Sequence, residues 1–225
     1  MSYLKRIAMP DSWQIKKKEN KFVARPLPGQ SFKLGMPINT ILRDILGLAS
    51  NNNEVKKILN NKEIFVNGKR RKECRFMVGL MDVISIPEIN KFYRVLLTKK
   101  GKIILKEIKK EESNLKLCKI LNKKKKKKDM IQLNLSDGRN ILIKEDKYKT
   151  NDSLLISLPK QEVKEYIELK KSNIIYLIGG KYIGEIGVIE DVKDNIVSFK
   201  LKNKKVETRK KKIFVVGKDK PLITI

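Results

Sequence analysis

The sequence predicts an α+β fold that is mostly β: a basic N-terminal arm, a helix-helix-hairpin module, a central antiparallel β domain and a small C-terminal β barrel. Three observations predict it. Two stripes of helical period precede an Asn-Gly turn within residues 38–86. Short alternating runs broken by Gly and Asp fill residues 92 to about 170. From 172 to 216, apolar runs of strand length are joined by glycine-rich connections. The expected domains are 1–37, 38–91, 92–171 and 172–225.

The first segment carries Lys5, Arg6, Lys16, Lys17, Lys18, Lys21 and Arg25 together with Pro10, Pro26, Pro28 and Pro37. Proline fixes φ and removes a donor, so long helices are excluded. Trp13, Phe22 and Val23 are too few for a core, which predicts an extended arm that orders on its partner. Trp13 is a candidate for stacking on a base; the alternative is that it plugs onto the neighbouring domain.

In the module, Ile38, Ile41, Leu42, Ile45 and Leu48 fall on one helical stripe, and Gly47 sits where a left-handed residue would close it. Asn51 with Glu54 three residues on has the form of a capping box for a second helix. Val55, Ile58 and Leu59 form its buried stripe, which turns Lys56 and Lys57 outward. Asn67-Gly68 is a two-residue hairpin signal that sets Lys69, Arg70, Arg71 and Lys72 beside the turn. Residues 81–86 supply a third strand, ended by Pro87. Such packing is expected to hold Arg43, Lys56, Lys57 and the 69–72 cluster as one positive surface, which binds phosphates by charge and counterion release.

The central segment reads as strands at 92–97, 102–108, 115–121, 130–135, 140–143 and 153–158, with turns at Lys99-Lys100-Gly101 and Ser136-Asp137-Gly138. Ile131, Leu133 and Leu135 alternate onto one face. Residues 162–169 are expected to form a short helix. The lysine run 123–128, including Lys123, Lys124, Lys125 and Lys126, is expected to be a mobile loop that meets RNA, with Arg139 a further contact. In the last segment, strands are expected at 174–178, 187–192, 196–202, 206–208 and 213–216. Gly180, Gly184 and Gly187 are expected to take positive φ, and Asp194-Asn195 and Asn203 to mark turns.

Charge is the dominant compositional fact: 53 Lys plus Arg against 25 Asp plus Glu in 225 residues, a net +28. A free soluble enzyme with that charge repels itself and adheres to nucleic acid, whereas a protein embedded in phosphate does neither harmfully. A basic membrane-surface protein would need a long amphipathic helix with an aromatic-rich face, which is absent from the pattern. The longest apolar run near the end, 174–178, is too short to span a bilayer, and the N-terminus lacks the apolar core of a signal peptide, so an intracellular protein is expected. Two cysteines, Cys74 and Cys118, without histidine do not make a four-ligand zinc site, and reduced buried thiols are expected. No histidine, no carboxylate pair at telling spacing and no phosphate-binding Gly-rich loop argue against an enzyme and for no cofactor.

These residues resemble the S-four-e family of small-subunit ribosomal proteins from end to end. The opening is similar through Tyr3-Leu4-Lys5-Arg6-Ile7-Ala8 and Ser12-Trp13. The module resembles an S-four-type RNA-binding domain through Leu42-Arg43-Asp44, Val55-Lys56-Lys57-Ile58-Leu59 and Val66-Asn67-Gly68-Lys69. The middle does so through Lys116-Leu117-Cys118-Lys119-Ile120 and Asp137-Gly138-Arg139, and residues 180–189 resemble a KOW motif. The resemblance implies a non-catalytic structural constituent of the small ribosomal subunit, cytoplasmic within the ribosome. Its partners would be ribosomal RNA and neighbouring ribosomal proteins, with no membrane or small-molecule substrate, and it would end in an SH3-like KOW barrel. Two other classes remain: an RNA-binding translation or transcription factor using the KOW unit for a protein partner, and an RNA-modifying enzyme. Lys62 replaces a glycine usual after the second helix, so Asn61 or Lys62 is expected to take a left-handed turn. Glu185 stands where the KOW motif often has a cation. The chain stops soon after Pro221, which fits an archaeal-like or other short member.

Overall fold

The computed structural model describes residues 3–126, 130–201 and 204–225. They form two compact units: residues up to Leu96 with Lys102–Ser113, and Leu97–Gly101 with Asn114–Ile225. Among the described residues no helix is long and apolar enough to cross a membrane.

The first unit begins with a two-stranded ribbon, β1 (Leu4–Lys5) and β2 (Phe22–Val23), in which Leu4 pairs with Val23 and Lys5 with Phe22. The arm expected to be extended is folded instead. Ser12 accepts a backbone hydrogen bond from Ile103 at 2.7 Å, and Leu27 donates to the Arg75 carbonyl at 2.9 Å. Trp13 is 1% exposed and donates Nε1–H to the Gly35 carbonyl at 2.9 Å, with Phe32 tilted against it. The segment holds no long helix, as expected, only a 3-10 turn at Arg6–Ala8, but its prolines do not prevent docking, and its apolar partners come from elsewhere in the chain.

β3 (Gly35–Pro37) pairs with β6 (Met77–Gly79), while β4 (Phe65–Val66), β5 (Lys69–Arg70), β7 (Val83–Ile86), β8 (Lys91–Leu97) and β9 (Ile103–Glu107) form a sheet in the order β5-β4-β7-β8-β9. The boundary expected at 91/92 therefore falls inside a sheet: Ile84 pairs with Tyr93 and Ile86 with Lys91. Val83, Phe92 and Ile108 share a core beneath it.

The first helix, α1 (Ile38–Thr40), passes at once into a π turn over Ile41–Ile45, with Leu46 N–H bonded to the Ile41 carbonyl. A wider turn rotates later positions out of the expected stripe. Ile38, Ile41 and Leu42 are fully buried, Ile45 only partly, and Leu48 is 40% exposed. Gly47 closes the element at φ 63°, as its position predicts. The second helix, α2 (Asn52–Asn61), has the expected cap: Asn51 Oδ1 accepts from Glu54 N–H at 2.9 Å, and Glu54 accepts from Ser50 N–H at 2.7 Å. Its exit differs from expectation. Lys62 leaves in extended geometry (φ −104°) and Asn61 is not left-handed, so no strained turn replaces the missing glycine.

In the second unit, β10 (Leu115–Lys125), β11 (Ile131–Leu135), β12 (Asn140–Ile143), β13 (Ser153–Ser157) and β14 (Val163–Ile167) form an antiparallel sheet ordered β12-β11-β10-β13-β14. Ile131, Leu133 and Leu135 do alternate into its core, with Cys118, Ile120, Leu154 and Ile156. Two expectations fail. Residues 162–169 are no helix, because β14 completes its hydrogen bonds against β13, with Leu154 opposite Tyr166. Lys123–Lys125 are no loop: they extend β10 against Leu133, Gln132 and Ile131. Lys127 and Lys128 lie outside the described residues.

The remaining strands, β15 (Ile174–Leu177), β16 (Ile186–Lys193), β17 (Ile196–Leu201), β18 (Lys204–Arg209) and β19 (Ile213–Gly217), make a second antiparallel sheet ordered β18-β17-β16-β15-β19. Gly180 and Gly184 take φ 94° and 77°, but Gly187 does not need positive φ. It is required for space, since a Cβ there would lie 2.8 Å from the Phe199 ring. Asp194 turns at φ 38° between β16 and β17, while Asn203 is outside the described residues.

Candidate nucleic-acid interface

The hairpin is built by its turn. Asn67 and Gly68 both have positive φ, 53° and 71°, the geometry that matches strand twist in a two-residue loop. Asn67 is also a bolt: its amide donates to Asp82 at 2.9 Å and its oxygen accepts Val83 N–H at 3.0 Å. Lys69, Arg70 and Lys72 then stand exposed. Arg70 donates to the Asn60 carbonyl at 3.0 Å, which ties the hairpin to the end of α2. Arg71 is turned partly inward and lies 4.1 Å over the Phe76 ring.

On α2, Lys56 and Lys57 are exposed, as the stripe requires. A cleft of about 420 Å³ opens where α1 and α2 begin, and Arg25, Arg43, Lys56 and Arg75 line it. Arg43 pairs with the adjacent Asp44 at 2.8 Å. In the leader, Lys5, Lys16, Lys17, Lys18, Lys21 and Arg25 are exposed, though Lys16 pairs with Glu19 at 3.4 Å and Lys17 with Asp11 at 2.5 Å.

Two expected contact residues are not on the surface. Arg6 is 1% exposed and is held by the Lys16 carbonyl, by Glu19 at 3.2 Å and by Asp44 at 3.8 Å, so it fastens the leader rather than meeting a phosphate. Trp13 is buried and is unable to stack on a base. In the second unit, Lys124, Lys125 and Lys126 are exposed, whereas Lys123 is drawn to Asp146 and to the Tyr148 carbonyl. Arg139 is partly buried against Asp137 at 3.2 Å. Cys118 is buried and Cys74 half-buried, both as free thiols.

The model of the ribosomal family S4e matches residues 89–163, and that of the RS4NT (NUC023) domain matches 3–29. The small ribosomal subunit protein eS4 of Methanococcus vannielii is 43% identical over 238 residues, covering 99% of this chain and 97% of that one. Its counterpart in Methanocaldococcus jannaschii is 42% identical over the same spans. This chain belongs to the ribosomal S4e family. The crystal structure of the 30S ribosomal protein S4e from Thermoplasma acidophilum matches with a TM-score of 0.72 at 30% identity, covering 82% of this chain and 95% of that chain.

What the sequence pattern missed in this S4e-family chain are its buried charges. Lys116 is 1% exposed and bonds Asp137 at 2.6 Å; burial pushes the Asp137 carboxyl up, but Lys116 and Arg139 outweigh it and hold the group below the ordinary carboxylate value. Arg94 is fully buried, bound to the carboxylate and carbonyl of Glu112, with its pKa drawn down by burial. Lys119 is 2% exposed and donates to the carbonyls of Lys210 at 2.6 Å and Ile213 at 2.7 Å. Glu185, the acidic departure from the KOW pattern, pairs with Lys99 at 3.7 Å.

Burial lowers Lys119 from an ordinary 10.5 to about 8. Below pH 8 the residue is charged in folded and unfolded chains alike, and its burial opposes folding in full. Between pH 8 and 10.5 the folded chain sheds the proton first, so stability rises with pH by up to about 3 kcal/mol. Denaturant midpoints measured from pH 7 to 10.5 should show this rise in the native chain, and Lys119→Met should flatten it. An equal rise in both chains would mean that Lys119 titrates normally.

Proposed function

We propose that the chain is a structural, non-catalytic constituent of the small ribosomal subunit, which it joins in the cytoplasm by binding ribosomal RNA and packing beside neighbouring ribosomal proteins. On this reading α1, α2 and the β4–β5 hairpin act as an S-four-type RNA-binding module, and β15–β19 as an SH3-like KOW barrel. The observation that carries the proposal is the cleft wall: Arg25, Arg43, Lys56 and Arg75 line it with no carboxylate among the described lining residues. Internal pairs such as Asp137 with Lys116 and Glu112 with Arg94 remove one charge of each sign, so the excess of 53 Lys plus Arg over 25 Asp plus Glu remains for the surface. Fixed cations on a rigid scaffold neutralise phosphates and set the path of the RNA.

Affinity for small-subunit ribosomal RNA should therefore fall steeply with salt, with a log–log slope of roughly −0.7 to −0.9 per phosphate neutralised. Charge reversal at the exposed Lys56, Lys57, Lys69 and Lys72 should make that slope shallower by the same amount for each phosphate no longer neutralised, with the thermal midpoint unchanged. Filter binding across a salt series checks this. A flat salt dependence of the native chain would refute RNA binding by charge, and an unchanged slope in the variant would place the RNA on another face.

A further inference from the structure

The cationic cleft of the first unit has a second chemical character. We propose that it is a pocket for a single unstacked nucleotide of the bound RNA: the base lies against Tyr3 and Phe22, its edge is read by Asn39, and the flanking phosphates meet the arginine and lysine wall. The inference rests on the RNA-binding function proposed above and specifies what one part of that surface holds.

The β1–β2 ribbon makes the aromatic platform. Strand alternation puts Leu4 and Val23 on one face, and Val23 is buried. The opposite face then presents Tyr3 and Phe22 beside each other, ring centroids 5.5 Å apart. They remain 83% and 46% exposed, unlike Trp13, the aromatic that the leader does use for docking. Two adjacent exposed rings at the mouth of a cationic cleft are poorly placed for folding but well placed for stacking, which every base permits through its π face.

The floor supplies the polar group. Asn39 is 2% exposed, with its backbone N–H fixed to the Cys74 carbonyl at 3.0 Å. Its amide nitrogen donates to Asn52, but its Oδ1 is buried without a hydrogen-bond partner among the described residues. A buried amide oxygen left unpaired is unfavourable, and a base amino or imino N–H entering the cleft would satisfy it. At about 420 Å³ the cleft falls in the size range that encloses small ligands. Arg25, Lys56 and Arg75 on its wall would meet the flanking phosphates, while Arg43 is held by Asp44, so rings, amide and charge converge on one ligand class.

The test compares the native full-length chain with Tyr3→Ala, Phe22→Ala and Phe22→Trp for binding to small-subunit ribosomal RNA, followed by ultraviolet crosslinking of the native complex. Each alanine variant should weaken binding about 5- to 150-fold while leaving the salt slope unchanged, because a stack is lost and no charge is. Phe22→Trp should restore affinity, and crosslinked nucleotide should map to Tyr3 or Phe22. Both rings are exposed, so the variants should melt as the native chain does. If the native chain binds RNA with a steep salt slope but the alanine variants bind equally well, the pocket is wrong while the electrostatic surface stands. If the variants lower incorporation into the subunit without lowering RNA affinity, a protein occupies the cleft and the proposal also fails. If the native chain does not bind the RNA, the broader reading falls first.

Discussion

Asp137→Ala should destabilise the second unit by about 3–5 kcal/mol, the usual effect of removing one partner from a buried ion pair. Lys116 is 1% exposed and its Nζ sits 2.6 Å from Asp137, so the variant takes this carboxylate away from a buried ammonium. The attraction itself is not the main quantity. Taking both ions out of water offsets most of it, and the large loss comes from the stranded charge. A double replacement, Lys116→Met with Asp137→Leu, should therefore recover most of the stability. Arg139, at 16% side-chain exposure, can turn to water when its carboxylate goes and adds little. Denaturant titration of the full chain reads both variants. A loss below about 1 kcal/mol for Asp137→Ala would show that water reaches Lys116, and a double variant no better than the single would show that Asp137 acts through its turn instead.

Trp13→Ala should destabilise the first unit by about 3–5 kcal/mol, the range for deleting a large aromatic from a core. The indole fills space against Phe32, and its N–H satisfies the Gly35 carbonyl. Trp13→Phe should recover part of the packing while leaving that carbonyl unpaired, a smaller loss of about 1–3 kcal/mol. Under conditions where the variant is folded, its RNA affinity should match the native chain, in contrast to the ring variants Tyr3→Ala and Phe22→Ala. Thermal melts beside filter binding separate the two effects. Normal stability with weakened RNA binding would overturn the buried placement and restore Trp13 as a base-stacking residue.

The two tryptophan readings differ for a physical reason. A lone aromatic among prolines and lysines has no local apolar partner, so periodicity does not distinguish a ring that stacks on RNA from one that docks on a distant segment. Gly35 is 22 residues away and Ile103, which holds the neighbouring Ser12, is farther still. The same ambiguity affected Arg6, whose anchors Glu19 and Asp44 are remote in sequence. The lysine run misled in the opposite direction. Like charges favour a loop when isolated, but Lys123–Lys125 are pulled into β10 by backbone pairing with β11, and Lys123 is stabilised by Asp146. Residues 162–169 read as helix because nothing local showed that β13 had an open edge for them.

The sequence by itself determined whatever rests on neighbours a few residues apart: the Asn51 cap, the left-handed Gly47, the Asn67-Gly68 and Asp137-Gly138 turns, the alternation of Ile131, Leu133 and Leu135, and the total positive charge. Outside α2, where the apolar stripe already turns Lys56 and Lys57 outward, tertiary structure decided which cations face solvent. Lys116 and Lys119 look no different in sequence from Lys124 and Lys125, and a lysine's direction is set by the carboxylate or carbonyl that meets it. Those partners lie 21 residues off for Lys116 and 91 or more for Lys119, so only the completed packing brings them within hydrogen-bonding reach.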